Sequence, residues 1–414
     1  MKGVFVILDG VADLPCSQLG DKSPLEAAQT PNLDEIAKRA KIRHCYTVKE
    51  GVAPESSSAV LSLLGYDPNF VSRGPLEAKG IGIKLKNGDL AFRCNFATID
   101  NLEDLNILDR RAGRTLTTEE AKILAKAINE NVKLPFKFEF YQSIQHRGVL
   151  IIRGGFSDNI SNIDPAYGAG AVFGTEGKLN FSKPLDDEDD SKLSAELVNN
   201  FVRRSFSVLD KHPVNIARVK KGLCSANIIL CRDAGSSLPK LKKLPGKWIG
   251  LGYMPLEIGI GESSGMSVYK FKYPKLKGID SYGNLYEGLD DAIKYAKKML
   301  WWDKNKYDYF YIHFKETDIP GHDNKPLDKV KMIEIIDKDF FSYLKKFVGN
   351  SKLIVTADHT TACRKKAHTA DPVPVLVYPS DKESVKRFTE SEGMKGRKIS
   401  GRNLLKSVFF GKRT

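Results

Sequence analysis

No stretch of this chain approaches the roughly 18 consecutive apolar residues that a membrane-spanning helix needs, which excludes a bilayer span. The apolar run near the start, Val4 to Leu8, is too short and too soon interrupted by Asp9 to act as a secretory signal, so the expected location is the cytoplasm. Cysteine is scarce. The six residues Cys16, Cys45, Cys94, Cys224, Cys231 and Cys363 are scattered and form no Cys-x-x-Cys pair. That argues against a thiolate zinc site and against a disulfide framework, and leaves them as reduced core residues. Internal repeats are absent as well. Lys+Arg exceed Asp+Glu by 65 to 51, a net charge of +14, yet the basic residues are spread out. Their densest groups, 240–247 and 395–402, carry no interleaved aromatics of the RNA-binding kind. A nucleic-acid partner is therefore not expected, whereas a small acidic substrate suits the balance.

What is present is a globular composition, 41% hydrophobic, 9% aromatic and 28% charged, which excludes a disordered or collagen-like chain. The 414 residues, at about 150 per domain, suggest two or three domains.

Residues 3–8 form a continuous apolar run ended by Asp9-Gly10, the pattern of a buried parallel strand. Helices are predicted at 32–41 and at 57–64, the second entered through Pro54-Glu55-Ser56 and closed by Gly65-Tyr66-Asp67-Pro68. From about residue 74 the texture changes, with Gly80, Gly82 and Gly88 loosening the chain before a predicted strand at 90–99. The capping box Thr117-Thr118-Glu119-Glu120 opens a helix to about Asn131. Strands at 136–142 and 148–153, a helix at 194–211 and a strand at 227–231 follow. The acidic run 186–190 reads as a solvated loop.

Beyond the Lys-rich turn at 240–247, a helix at 285–300, a strand at 309–314, a helix at 327–347 and strands at 353–356 and 373–378 alternate. Val330, Ile333, Ile336, Phe340, Leu344 and Phe347 fall at helical spacing, the mark of a helix laid on a sheet. Short apolar strands separated by helices imply a mostly parallel sheet with helices on both faces. The expected α/β architecture is discontinuous: residues 1–75 plus 236–414 make one domain, interrupted by a smaller α/β insert at 76–235.

Four of the seven histidines, His313, His322, His359 and His368, fall within residues 313–368, where even scatter would put about one. Asp318 stands four residues before His322, Asp358 directly before His359, and Asp371 three after His368. Ligands of open parallel sheets bind where loops leave the carboxyl ends of strands. Asp9, Asp318 with His322, and Asp358 with His359 all follow predicted strands. Three aspartates and three histidines can hold two divalent ions and leave positions for substrate. Without thiolates the set suits manganese, zinc or magnesium. The tract Ser56-Ser57-Ser58 opens a helix, where backbone N–H groups and the helix dipole favour a phosphoryl oxyanion. A hydroxyl there is a candidate nucleophile for metal-assisted phosphoryl transfer.

Several blocks together resemble the archaeal type of cofactor-independent phosphoglycerate mutase, within the alkaline phosphatase superfamily. They are Leu8-Asp9-Gly10, Thr30-Pro31-Asn32-Leu33-Asp34, the segment from Pro54 to Pro68, Arg73-Gly74-Pro75-Leu76-Glu77-Ala78, Asp109-Arg110-Arg111-Ala112-Gly113-Arg114, and His368-Thr369-Ala370-Asp371-Pro372-Val373-Pro374. The resemblance implies an isomerase that interconverts 3-phosphoglycerate and 2-phosphoglycerate in glycolysis and gluconeogenesis. It would work through a phosphoserine, with two divalent ions, usually manganese, and no bisphosphoglycerate. It implies one ion held by Asp9, the nucleophilic serine, Asp358 and His359, the other by Asp318, His322 and His368. The family commonly shows Gly-Ser-Asp where this chain has Glu55-Ser56-Ser57; counting back from Gly65-Tyr66-Asp67-Pro68 selects Ser56 as the nucleophile.

A guanidinium fork matches both phosphate and carboxylate. Arg110, Arg111 and Arg114 are the first candidates for gripping substrate, with Arg93, His146 and Arg232 behind them. Lys315, close to the Asp318 loop, is placed to neutralise phosphoryl charge. An acid from the insert would protonate the departing oxygen, and insert closure would exclude water. A phosphatase or other phosphomutase on the same metal core, and a non-catalytic anion-binding protein, are the competing readings. The chain is silent on oligomeric state.

Overall fold

The computed structural model describes residues 1–166, 177–380 and 386–411. Gly3–Leu8 lies inside an eight-stranded sheet whose order is Lys398–Ser400, Lys41–Tyr46, Val373–Tyr378, Lys352–Thr356, Gly3–Leu8, Tyr309–Phe314, Trp248–Gly252, Ser267–Lys270. All residues of Gly3–Leu8 and Tyr309–Phe314 are buried, as continuous apolar strands covered on both faces must be. This is the mostly parallel α/β sheet that the sequence led us to expect.

Register does the positioning. Leu8 lies opposite Phe314 and Ile7 opposite Thr356, all parallel, so the loops after these three strands leave at one edge. Among the described strands of this sheet, Val373–Tyr378 alone runs against its neighbours. Its reversed direction brings the residues that precede it, His368 among them, to that same edge.

A second, antiparallel sheet is centred on Leu90–Ile99, flanked by Arg147–Ile152 and Ile228–Gly235. Helices Thr118–Asn131 and Asp189–Leu209 bury Leu124, Ile128, Val198 and Phe201 against it in a core separate from that of the first sheet. On the other face Ala91, Val149 and Ile151 meet Ala78 of helix Arg73–Gly80. No helix among the described residues is long and apolar enough to cross a membrane.

Several local expectations are corrected. The helix expected at 32–41 ends at Ala37, and Lys41–Tyr46 is a strand that buries Ile42 and Cys45. The helix expected across 327–347 is Pro326–Ile336 and Ser342–Phe347 joined by a π-turn at Asp337–Phe341. There the buried Asp337 carboxylate accepts the Leu33 N–H at 2.7 Å, tying the turn to helix Pro31–Ala37. Asp189 and Asp190 are not loop but the first turn of Asp189–Leu209, where acidic side chains suit the helix dipole. Residues 73–80 are not loosened chain but a helix, and Trp248–Gly252 and Pro255–Ser263 are additional elements. The cysteines are all free, but Cys224 is only partly buried.

Candidate active site

The convergent loops place Asp9, Asp358 and His359 with ligand atoms all within 4.8 Å of one another, and Asp318, His359 and His368 likewise. In the first group the His359 Nε2 is 3.3 Å from Asp9 Oδ1 and 3.4 Å from Asp358 Oδ2. Both carboxylates are buried, and Asp9 Oδ1 and Asp358 Oδ2 have no hydrogen-bond partner among the described residues. Burial and the neighbouring Asp9 push the Asp358 carboxyl up to about 7. Burial works to raise Asp9 too, but the Lys315 ammonium beside it holds it well below its ordinary range. Buried carboxylate oxygens without protons to accept are the condition that a bound cation resolves.

The second group carries a sharper signal. Its third member is His359 rather than the expected His322, which stands beside it: His322 Nε2 faces His368 Nε2 at 3.2 Å and lies 3.4 Å from Asp318 Oδ2. Each ring is oriented from behind. The His322 Nδ1 donates to the Lys366 carbonyl at 3.1 Å and the His368 Nδ1 to the Pro54 carbonyl at 2.8 Å. His359 Nδ1 donates to the Thr361 hydroxyl at 3.0 Å, which in turn donates to Asp318 at 2.7 Å. With Nδ1 protonated and engaged, the Nε2 lone pairs of all three rings point into the same space, the arrangement by which outer partners prepare imidazoles for metal. Two neutral Nε2 atoms in contact repel unless a cation lies between them. The donor set therefore fits two divalent ions, with oxygen and imidazole ligands of the manganese, zinc or magnesium kind.

The backbone closes tightly around these groups. Gly10, at φ 53°, leaves room that a Cβ would take from Thr361 Oγ1, at 2.3 Å, and Asp318 Oδ1, at 2.6 Å. Its N–H donates to Asp358 at 3.0 Å. His313 lies buried beneath, with Nε2 3.4 Å from Asp9 and 3.7 Å from Asp358. Asp371 is exposed and belongs to neither ligand group.

Ser56 begins helix Ser56–Leu63, and its hydroxyl is 3.1 Å from His359 Nε2, between the two ligand groups. It faces a cavity of about 150 Å³ whose wall includes Asp9, Asp318, His322, His368 and Lys315. Lys315 is ion-paired with Asp9 and, at 3.0 Å, with Glu257. Six arginines, Arg73, Arg93, Arg111, Arg114, Arg147 and Arg232, also line it, beside Glu55, Glu316 and neutral side chains. His146 lines it too, kept well below its ordinary value by burial and by Arg147 and Arg111, hence neutral.

The cavity thus brings together most of the residues singled out from sequence. Asp358 and His359 lie behind the wall, and Arg110 is turned away: its guanidinium pairs bidentately with Asp164, at 3.0 and 2.7 Å, and it does not line the cavity. Arg73 and Arg147 went unnoticed. Arg73 stands in one of the family-like blocks and Arg147 directly follows His146, but a lone arginine in sequence looks like surface charge. Glu77 was missed as well. It is buried and holds Arg73 at 2.6 Å and Arg93 at 2.9 Å, so it aims two cations with one carboxylate.

Comparisons with known proteins identify the family. The family model described as 2,3-bisphosphoglycerate-independent phosphoglycerate mutase matches residues 37–215, and that of the metalloenzyme superfamily matches residues 268–400. A 2,3-bisphosphoglycerate-independent phosphoglycerate mutase of Aeropyrum pernix is 37% identical, covering 96% of this chain and 95% of the relative. One from Thermococcus gammatolerans is 39% identical, covering 95% and 93%. Among solved structures, a Pyrococcus horikoshii protein matches with TM-score 0.76 at 29% identity, over 100% of this chain and 98% of its own. The cofactor-independent phosphoglycerate mutase of Thermoplasma acidophilum matches with TM-score 0.56 at 28% identity, over 99% of both.

Proposed function

Since the chain belongs to the 2,3-bisphosphoglycerate-independent phosphoglycerate mutases, we propose that it interconverts 3-phosphoglycerate and 2-phosphoglycerate through a phosphoserine on Ser56. The observation that carries this reading is the Ser56 hydroxyl, set between two ligand groups on one side and a cavity lined by six arginines on the other. Asp9, Asp358 and His359, with Ser56, would hold one divalent ion, and Asp318, His322 and His368 the other. Bound there, such ions supply Lewis acidity that lowers the pKa of a hydroxyl and offsets phosphoryl charge. Manganese is the metal we propose, with zinc and magnesium as alternatives, and no bisphosphoglycerate takes part.

The chain's own groups do the rest. Ser56 Oγ gives up its proton and forms a bond to phosphorus while the bond to the glycerate oxygen breaks, and that oxygen takes a proton from an acid of the 76–235 segment, so that one proton is released and one taken up. The other glycerate hydroxyl then takes the phosphoryl group back, releasing Ser56. Lys315 and the cavity arginines neutralise the phosphate and carboxylate charge throughout. The segment 76–235, with its own core, is proposed as a cap: it carries five of the six cavity arginines and closes the site against water, which would otherwise hydrolyse the phosphoserine. We place the reaction in the cytoplasm.

The test is conversion of 3-phosphoglycerate by purified protein with manganese and without bisphosphoglycerate, with an EDTA control and free phosphate scored alongside. Metal-dependent formation of 2-phosphoglycerate with little phosphate release supports the mutase. Phosphate release without isomerisation would replace it with a phosphatase.

A further inference from the structure

Beneath the loop that carries Arg111 and Arg114 lies Arg218, on helix Pro213–Lys220 and 1% exposed. All five of its N–H donors are used. Nε donates to the Cys224 carbonyl at 2.9 Å. Nη1 donates to the Thr115 carbonyl at 3.1 Å and to Glu120 at 2.9 Å. Nη2 donates to the Ala112 carbonyl at 3.3 Å and the Thr115 hydroxyl at 2.8 Å. Arginine has five such donors in one rigid fork, so the site is saturated.

The loop so held is strained. Ala112, Gly113 and Arg114 take φ of 47°, 67° and 55°, three consecutive left-handed residues of which one is glycine. Non-glycine residues hold that conformation only where the surroundings over-determine it, and such strain gathers at functional sites. Asp109 fixes the near end of the loop by accepting from the Arg111 and Gly113 N–H groups at 2.7 and 2.8 Å. Arg218 fixes the far end, and it does not line the cavity.

We propose that Arg218 is a positioning residue: it holds the left-handed loop from which Arg111 and Arg114 reach the cavity. Affinity for the anionic substrate then depends on it more than the chemical step does. The inference rests on the phosphoglycerate reading above.

Four proteins test it, the wild type, R218K, A112G and R218K/A112G, by kinetics with 3-phosphoglycerate and by amide hydrogen exchange at residues 110–115. Lysine keeps the charge but supplies three donors instead of five. The expected result for R218K is a KM raised about tenfold or more with kcat within about twofold, and faster exchange in the loop. Glycine meets no steric penalty at positive φ, so A112G in the R218K background recovers part of the KM. A KM unchanged in R218K, or a fall in kcat and melting temperature that A112G does not relieve, would overturn the proposal. If R218K does not fold, T115V takes its place: it removes one acceptor, and a smaller KM rise in the same direction is expected. Wild-type protein that makes no 2-phosphoglycerate sinks the activity reading instead, and loop exchange, which R218K must accelerate, still decides the role of Arg218.

Discussion

Ser56 and Ser57 are neighbours in one helical turn, but helical geometry sends their side chains about 100° apart. The Ser56 hydroxyl meets His359, while Ser57 is buried and does not line the cavity. S56A should therefore lower kcat at least about a thousand-fold, with S57A within a few-fold of wild type, as measured by 2-phosphoglycerate formation. A second prediction concerns Glu390, which accepts from the Asp13 N–H at 2.9 Å and the Ser23 hydroxyl at 2.7 Å. Burial pushes its carboxyl up to about 7. A raised acid contributes stability that is present below its unfolded value, near 4.3, and lost as pH rises through the folded one. Glutamine imitates the protonated form, so E390Q should match wild type at low pH and exceed it by about 3–4 kcal/mol at pH 8. Urea unfolding at the two pH values measures the difference, and parallel pH profiles would refute it.

Helix packing transmits such local choices to the cavity. Helices Arg73–Gly80 and Pro255–Ser263 cross at a pair of glycines so closely that a Cβ on Gly80 would lie 1.8 Å from the Pro255 carbonyl oxygen, and one on Gly259 1.9 Å from that of Leu76. The first helix carries Arg73 and Glu77, hence the aim of Arg93 as well. G259A should cost about 1–3 kcal/mol by overpacking. It should also raise KM through displaced arginines, read by steady-state kinetics beside thermal unfolding.

Helix Pro326–Ile336 sends Lys329, fully buried, to Asp13 at 2.7 Å and the Thr361 carbonyl at 2.8 Å. It bridges the loop after Gly3–Leu8 to the loop after Lys352–Thr356, each of which carries candidate ligands. K329M strands the Asp13 charge and should cost about 3–5 kcal/mol, whereas D13N/K329M, with no charge left, should cost less. Equal losses would show that the pair acts only through packing.

At the scale of the whole molecule, polar contacts join the two cores beside the cavity. Arg232, on the second sheet, reaches Glu55 at 2.9 Å, one residue before Ser56, and Arg114 pairs with Asp323, next to His322. Gln145 meets Asn284 at 2.7 Å. Glu55, the residue before helix Ser56–Leu63, thus ties the second core to that helix. E55Q weakens that tie, and the expected outcome is a several-fold higher ratio of phosphate release to isomerisation, with 2-phosphoglycerate still formed. An unchanged ratio would mean that this ion pair has no part in excluding water.

The sequence by itself was sufficient for four of the eight described strands of the main sheet, 3–8, 309–314, 353–356 and 373–378, and for the metal-ligand candidates. Buried parallel strands are continuous apolar runs, and Asp9, Asp318 and Asp358 announce themselves by ending or closely following such runs. His322 and His359 stand within four residues of an aspartate. These are local signals, carried by periodicity and short spacing. Tertiary structure decided the rest. The reversal of Val373–Tyr378, which delivers His368, depends on pairing with strands far along the chain. Arg93, Arg147 and Arg232 meet on adjacent strands of a sheet assembled from segments up to 139 residues apart, so no short pattern groups them. Arg110 is turned away by its pair with Asp164, and the left-handed loop after Arg111 is braced by Arg218 from a helix some hundred residues away. Only contact between distant segments specifies such placements, because the energy that fixes them arises when the chain is folded.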